Sequence, residues 1–509
     1  MKKIYAFILS LLCMIGMSLP VYAEGTPVQD LNNQKVELTI NNVSENEEFR
    51  VWKVVDIEYE TNTHKVTYAW NTDFEDYFKD KTIKTPQEFA AITNSELNGL
   101  LSGLPSYIRS ELASNKIKQN GSVINSGENT QIVMSGDKAL NMGGYFIEPI
   151  VTTKVYQPMF VSIVPTVSGG SYQLNDRGFT AKHTDCTISK LVSNDGNNYD
   201  SYTCASFSKK YNYNRLYYKV TLNVPKYVSP VPEDIDIKFE DTLPNGINLD
   251  SQSIKIYGVN GIKNSPINEI PKTIDGKKIT IDFKNYYTTI SSNYDDILIT
   301  YEANLNENAV KNFVDNANVN SAKYTYTKYP YSGSVSDKNV VKTSSAKVYT
   351  YDVKIQKLDN DDNLKSLGGA QFDLYRLANQ DELNDSSVVK ETIDSKDFVK
   401  IANGLTIETS SEGTDNKGTY LISGLVPGEY RLIETRAPSG YNLDNTPIKI
   451  EINQSQESTL NVKIYNKKGS FTLPETGSTG KLLYSLAGLA LASIATICLI
   501  VVYKKGKKG

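Results

Sequence analysis

Two histidines in 509 residues leave little room for imidazole chemistry. His64 and His183 stand far apart, and no Cys-x-x-Cys pair occurs, so neither a zinc site nor a Ser-His-Asp arrangement is expected. Positive charge is not in excess either: 54 Lys and Arg against 58 Asp and Glu give a net charge of −4, without the basic footprint of a nucleic-acid partner. The run Asp359-Asn360-Asp361-Asp362-Asn363 lacks the glycine and distal glutamate of an EF-hand loop and reads as a hairpin turn. No metal or cofactor is expected. Cysteine occurs four times, and Cys13 and Cys498 fall in terminal apolar stretches. Cys186 and Cys204 remain, symmetric about Asp195 in the turn-rich segment from Ser193 to Asn198. An antiparallel hairpin closing on that turn would set them face to face, so a Cys186–Cys204 disulfide is the expectation in an exported chain.

Both ends of the chain carry recognisable segments. Lys2 and Lys3 precede an apolar stretch from Ile4 to Leu19, and Val21-Tyr22-Ala23 offers small residues before Glu24, the pattern of a secretory leader over residues 1–23. At the other end stand Leu473-Pro474-Glu475-Thr476-Gly477, apolar residues from Leu482 to Tyr503, and then Lys504, Lys505, Lys507 and Lys508. As a helix at 1.5 Å per residue that stretch would measure about 33 Å, enough for one bilayer crossing, and the lysines would hold the tail cytoplasmic. In this order the three features resemble the cell-wall sorting signal of sortase substrates. That resemblance implies cleavage between Thr476 and Gly477 and transfer of Thr476 to an amine.

Tyrosine (34 copies) far outnumbers tryptophan (2), and Val, Ile and Thr recur in alternating runs separated by polar turns, which is β composition. The fold expected is mainly β, with three domains. Residues 24–182 form an α+β domain, with strands near Val36–Ile40 and Phe49–Val55. Its helices are expected at the capping box Thr85-Pro86-Gln87-Glu88 and over Ser106–Ala113, after a Leu104-Pro105 break. Residues 183–346 read as an immunoglobulin-like β-sandwich. Residues 347–468 read as a shorter sandwich, with Asn379 to Asp397 as a surface excursion. The sorting signal, membrane span and basic tail occupy 469–509.

In the third domain Lys357-Leu358-Asp359, Leu367-Gly368-Gly369-Ala370-Gln371-Phe372 and Gly428-Glu429-Tyr430-Arg431-Leu432-Ile433-Glu434-Thr435-Arg436-Ala437-Pro438-Ser439-Gly440-Tyr441 resemble a Cna-B-type domain and its E-box. Across all three domains the chain resembles the backbone pilins of Gram-positive bacteria. The resemblance implies an internal isopeptide bond between Lys357 and Asn466, promoted by Glu434. Strand parity agrees: Val353, Ile355 and Lys357 share one face, as do Tyr430, Leu432 and Glu434, and Val462, Ile464 and Asn466. A lysine and a carboxyl continuing apolar rows are costly unless they serve each other. Burial disfavours charge on either partner, and a neutral amine is a nucleophile toward the carboxamide.

The middle domain repeats the pattern. Lys190 follows Ile188, Asp241 follows Ile235, Ile237 and Phe239, and Asn320 opens what reads as the last strand, with Ala322, Tyr324 and Tyr326. Lys190, Asp241 and Asn320 are assigned, with Asn318 as the alternative acceptor. Phe239-Glu240-Asp241-Thr242-Leu243-Pro244-Asn245-Gly246 is similar to the Asp-bearing segment of pilin middle domains. No such trio is visible in the first domain. The pilus-joining lysine implied by the resemblance lies at the end of the first domain, where Phe179-Thr180-Ala181-Lys182 stands without the family's proline; Val224-Pro225-Lys226 has the proline but lies within the second domain. Lys182 is favoured over Lys226.

The expected function is that of a structural polymer subunit at the cell surface, not an enzyme. Its partners would be sortases, neighbouring subunits, peptidoglycan and host surface molecules. A monomeric wall-anchored adhesin or minor pilin is the alternative. A glycoside hydrolase would need paired carboxylates in a cleft, whereas the acidic residues singled out point into cores.

Overall fold

Alternation of apolar and polar residues places most of the chain in strands, because successive strand side chains point to opposite faces and one face of each sheet must be covered. The computed structural model describes residues 488–500 and residues 30–469, except for 80, 82–84, 92–99, 102, 120, 158, 208–213, 228–230, 232–234, 316, 329, 331–337, 364 and 410–416. The expected leader with Cys13, the Leu473–Gly477 motif with Thr476 and Gly477, and the lysine tail lie outside the described residues. Residues 488–500, inside the expected apolar span, are helical, and Leu489, Leu491, Ile494, Ile497, Leu499 and Ile500 are all exposed. Among the described residues no helix is long and apolar enough to cross a membrane. The chain divides into two compact units, Met1–Thr350 and Tyr351–Gly509.

The first unit holds two hydrophobic cores. One draws its buried residues from Leu31 to Ala181 and is organised by the strand Glu48–Glu60, which pairs with Lys65–Trp70, Ser122–Asn125 and Gly143–Val151. Trp52 on that strand is fully buried, and its indole N–H donates to Glu148 Oε2 at 3.0 Å. The helix Pro86–Ala91 starts where expected, with Glu88 N–H donating to Thr85 Oγ1 at 3.1 Å. The second helix runs Leu104–Ala113, so Pro105 sits in its first turn instead of preceding it. Proline fits there because its missing N–H would have had no helical partner. Trp70 stacks on Phe78 at 4.0 Å, with Phe89 packed beside both.

The other core belongs to a sandwich. Its five-stranded sheet has the order Ile188–Ser193, Arg215–Asn223, Asp296–Leu305, Ile247–Asn260, Lys263–Pro266. Its six-stranded sheet has the order Tyr202–Cys204, Asn339–Tyr349, Asn320–Thr327, Ile237–Thr242, Lys278–Asp282, Thr273–Asp275. The strand beginning at Asn320 is therefore not the last. Asn339–Tyr349 follows and pairs with its whole length, from Asn320↔Ala346 to Thr327↔Asn339. That strand continues past residue 346 because Val348 and Tyr349 are buried in the same domain. A short ladder, His183–Thr184 against Val155–Tyr156, ties the connection between the two cores.

The expected Cys186–Cys204 disulfide is absent, although both side chains are buried. The turn does close, at a Val192↔Asp200 bridge, but the two arms then part into opposite sheets. Cys204 pairs with Tyr349 at one end of the strand Asn339–Tyr349, while Cys186 lies within electrostatic reach of Lys342. The two cysteines thus stand on arms that belong to different sheets, and both thiols are free.

The second unit packs a three-stranded sheet, Thr419–Leu425, Tyr351–Asp359, Leu460–Asn466, with a five-stranded one, Glu391–Ile393, Lys396–Thr406, Gln371–Leu377, Gly428–Arg436, Ile448–Ile452. The segment Asn379 to Asp397 is more than a surface excursion. Asn379 and Glu382 form a capping box on the helix Gln380–Asn384, and Glu382 pairs with Arg376 at 2.5 Å, both largely buried. Glu391–Ile393 then joins the sheet edge.

The fold makes a prediction about the thiols. Burial pushes Cys186 up to about 12, so both cysteines should resist alkylation in the native chain and both should react after unfolding without reductant. A reducible Cys186–Cys204 peptide pair in non-reducing maps would contradict the observed strand separation.

Candidate functional site

Three strands converge on the middle-domain cluster. Lys190 lies opposite Val220 in the five-stranded sheet, and its parity with Val192 turns it inward. Across the core, Asp241 continues the buried row of Ile237 and Phe239. Its cross-strand partner is Ala322, so Asn320 stands two residues along on the neighbouring strand, facing the same way. The structure thus brings Lys190, Asp241 and Asn320 together, with side-chain exposure of 0% for both Lys190 and Asp241.

Lys190 Nζ donates to Asp241 Oδ1 at 2.6 Å, to Asp241 Oδ2 at 2.5 Å and to the Tyr301 hydroxyl at 2.9 Å. That hydroxyl donates to Asp241 Oδ2 at 2.6 Å and accepts from Asn320 Nδ2 at 2.8 Å. Asn320 Oδ1 is buried and has no hydrogen-bond partner among the described residues. Burial lowers the Lys190 pKa to about 8 against the opposing pull of Asp241, which raises it. Burial, and then the adjacent Asp241 charge, hold Tyr301 well above its ordinary value, so the phenol keeps its proton. Tyr218 stacks on Tyr301 at 4.9 Å and walls the amine on that side.

Sequence reasoning missed Tyr301. Its signal was its place in the inward row Ile297, Ile299, Tyr301, Ala303, but among 34 tyrosines nothing set it apart. Asn318, the alternative acceptor, is occupied elsewhere. Its amide donates to the Val310 and Val348 carbonyls at 2.9 and 2.8 Å and accepts from Val310 N–H at 2.8 Å, clasping a loop.

The second cluster lies in the C-terminal unit with a different topology. Lys357 and Asn466 occupy neighbouring parallel strands (Lys357↔Ile464, Asp359↔Asn466), and Glu434 reaches them from the opposite sheet. Lys357 Nζ is 3.0 Å from Glu434 Oε1, with side-chain exposure of 1% for each. Glu434 Oε2 accepts from Asn466 Nδ2 at 2.8 Å and from Asp444 N–H at 3.0 Å. Asn466 Nδ2 also donates to the Asn442 carbonyl at 2.6 Å, while Asn466 Oδ1 has no partner among the described residues. Burial lowers the Lys357 pKa, with Glu434 opposing. The anchors at Asn442 and Asp444 are backbone groups, which side-chain patterning does not reveal.

Each cluster sets an amine, a carboxyl and a carboxamide together where solvent has almost no access. Proton transfer from lysine to carboxyl leaves a neutral amine beside an amide carbon. Among the described residues of the first domain no lysine is buried, so no third cluster forms there. Lys182 is exposed, between the strands Arg177–Thr180 and His183–Thr184, and its carbonyl accepts from Gln157 N–H at 2.9 Å. Lys226 is tied down: its Nζ donates to the Ser291 and Tyr294 carbonyls at 2.9 and 2.7 Å and lies 3.4 Å from Asp295.

Known proteins share this architecture. Residues 351–468 match the family described as SpaA: Prealbumin-like fold domain, starting where the second compact unit starts. Fimbrial subunit type 1 of Actinomyces viscosus is 28% identical over 143 residues, 25% of this chain and 26% of that protein, so the match spans about a quarter of the relative's length. The T6 backbone pilin of serotype M6 Streptococcus pyogenes, described as a modular three-domain structure, superposes with a TM-score of 0.54 and 18% identity over 83% of this chain and 80% of that one. Residues 351–468 therefore resemble a SpaA-type prealbumin-like domain, and the chain has a fold similar to that of the T6 backbone pilin.

Proposed function

We propose that this chain is the structural shaft subunit of a covalently polymerised surface pilus, strengthened by intramolecular Lys190–Asn320 and Lys357–Asn466 isopeptide bonds. The observation that carries the reading is the pair of dry lysine–carboxyl–carboxamide clusters, one in each sandwich of a pilin fold. Asp241 and Glu434 promote the bonds by taking a lysine proton and so freeing the amine to attack. The only chemistry is a single turnover on the chain itself, so the protein is a sortase substrate and not an enzyme.

In this reading a sortase cuts between Thr476 and Gly477 and joins Thr476 to a lysine of the next subunit, and the last subunit to peptidoglycan. The exposed apolar residues of helix 488–500 suit a membrane segment that holds the chain for that reaction. Lys182 is the proposed acceptor, because its side chain is exposed while the Lys226 amine is engaged by carbonyls. Peptidoglycan-bound fibres of this kind would support adhesion to host surface molecules.

Two outcomes follow. The exported chain should weigh less than its sequence by one ammonia per bond, about 17 Da each, because the amine displaces the carboxamide nitrogen. Glu434→Ala should restore one ammonia and Asp241→Ala the other. Glu434→Ala also strands Lys357 in the core, a loss of about 3–5 kcal/mol in folding stability beyond the missing bond. An unmodified wild-type mass would dismiss both bonds.

For polymerisation, Lys182→Ala should abolish the high-mass ladder in cell-wall extracts while the monomer is still exported and folded. A ladder that survives Lys182→Ala and vanishes in Lys226→Ala would move the joint to Lys226. No ladder in the wild type with its own sortases present would favour a monomeric wall-anchored adhesin.

A further inference from the structure

We infer that the Tyr301 hydroxyl relays a proton from Asp241 to the departing nitrogen of Asn320, an inference that rests on the cross-linking role proposed above. The two clusters of this one chain supply the argument. In the C-terminal unit the carboxylate touches the leaving group directly, Glu434 Oε2 lying 2.8 Å from Asn466 Nδ2. In the middle domain the carboxylate belongs to an aspartate, one methylene shorter, and among the described residues no hydrogen bond joins Asp241 to Asn320. Tyr301 fills the gap, 2.6 Å from Asp241 Oδ2 and 2.8 Å from Asn320 Nδ2. Its ring is 2% exposed and held by the Tyr218 stack, so no water can take its place without a rearrangement of the core.

The proton count closes. Asp241 takes one proton from the Lys190 ammonium, and neutral Nζ attacks Asn320 Cγ. In the resting state Asn320 donates to Tyr301 and Tyr301 to Asp241, because the lone pair of a planar amide nitrogen is delocalised. In the tetrahedral adduct Nδ2 becomes pyramidal and basic, and the direction reverses. Asp241 passes its proton to the Tyr301 oxygen while Tyr301 passes its own to Nδ2. Asp241 then removes a second proton from Nζ. The Nζ–Cγ bond is kept, the Cγ–Nδ2 bond breaks, ammonia departs and Asp241 is left protonated. Tyr301 ends as it began, consistent with a phenol whose ionisation is strongly disfavoured.

The test follows cross-linking during cell-free synthesis of the full chain, with acid-quenched aliquots read by mass spectrometry of peptides from each domain. Tyr301→Phe should slow the Lys190–Asn320 bond by about 100-fold, the scale of one general acid–base group, while the Lys357–Asn466 bond forms at the wild-type rate and reports on a folded, normally handled sample. Placing 3-fluorotyrosine at position 301 keeps the ring shape and hydroxyl but makes the phenol more acidic, so it should change the rate of the first bond alone. Wild-type kinetics at Lys190–Asn320 in either variant would overturn the relay. Absence of that bond in the wild type would instead overturn the cross-linking role and the relay with it.

Discussion

A lysine amine without access to water governs how each sandwich can be built. Lys190 is 1% exposed and Lys357 0%. An unpaired ammonium at such a position would cost several kcal/mol, so each strand placement must deliver a carboxyl to it. The carboxyl in turn needs its remaining lone pairs satisfied, by Tyr301 in one case and by Asp444 N–H and Asn466 in the other. Several polar atoms in these clusters have no hydrogen bond among the described residues, Tyr218 Oη in one and Lys357 Nζ and Glu434 Oε1 in the other, and each cluster also leaves its carboxamide oxygen over. Asn320 Oδ1 and Asn466 Oδ1 are both buried without partners among the described residues. A stranded buried acceptor costs about 1–3 kcal/mol, and both clusters carry one on the carboxamide. In the cross-linking role proposed above, these belong to the two carboxamides that the lysine amines would attack.

The two domains assemble their clusters by different topologies. In the middle domain the lysine faces aspartate and asparagine across the sandwich. In the C-terminal unit lysine and asparagine sit side by side in one sheet, and the glutamate crosses. Carboxyl length follows from this. Glu434 must span the gap between sheets and reach both partners, whereas Asp241 meets Lys190 at close range and leaves the asparagine to Tyr301.

The strand parities that set Lys190, Asp241, Asn320, Lys357, Glu434 and Asn466 on buried faces were readable because a buried polar residue interrupts an otherwise apolar row, a local signal. What could not be read depends on partners distant in the chain. Cys186 and Cys204 flank a genuine turn, yet their separation is decided by which sheet each arm joins, a choice made by strands beyond residue 215. The strand Asn339–Tyr349 escaped notice because its outward positions carry Lys, Thr and Ser, so only Ala346, Val348 and Tyr349 mark it as part of the core. The burial of Arg376 and Glu382 was not readable either, since it depends on their pairing with each other and with the backbone of Leu377 and Asn379.

That unforeseen strand changes how the middle domain would carry load. In a shaft joined at Lys182 and Thr476, tension would pass from Lys182 to Lys190, cross the amide to Asn320, and leave through Thr350 toward Lys357. Residues 191–319 would lie inside the closed loop and feel none of it. In the C-terminal unit the amide would join the first strand to the last, so only the few residues before Lys357 and after Asn466 would be in line. In the middle domain the hairpin of Asn320–Thr327 and Asn339–Tyr349 is itself in the path. Its residues amount to roughly 100 Å of extended chain at about 3.4 Å each. What opposes their release is noncovalent: the ladder between the two strands, the short parallel pairing with Tyr202–Cys204, and the burial of Tyr324, Tyr326 and Val348. Two internal amides would therefore not make the two sandwiches mechanically alike. The C-terminal one would be clamped at both ends, whereas the middle one would keep a hairpin that yields under force and re-forms when the force is removed.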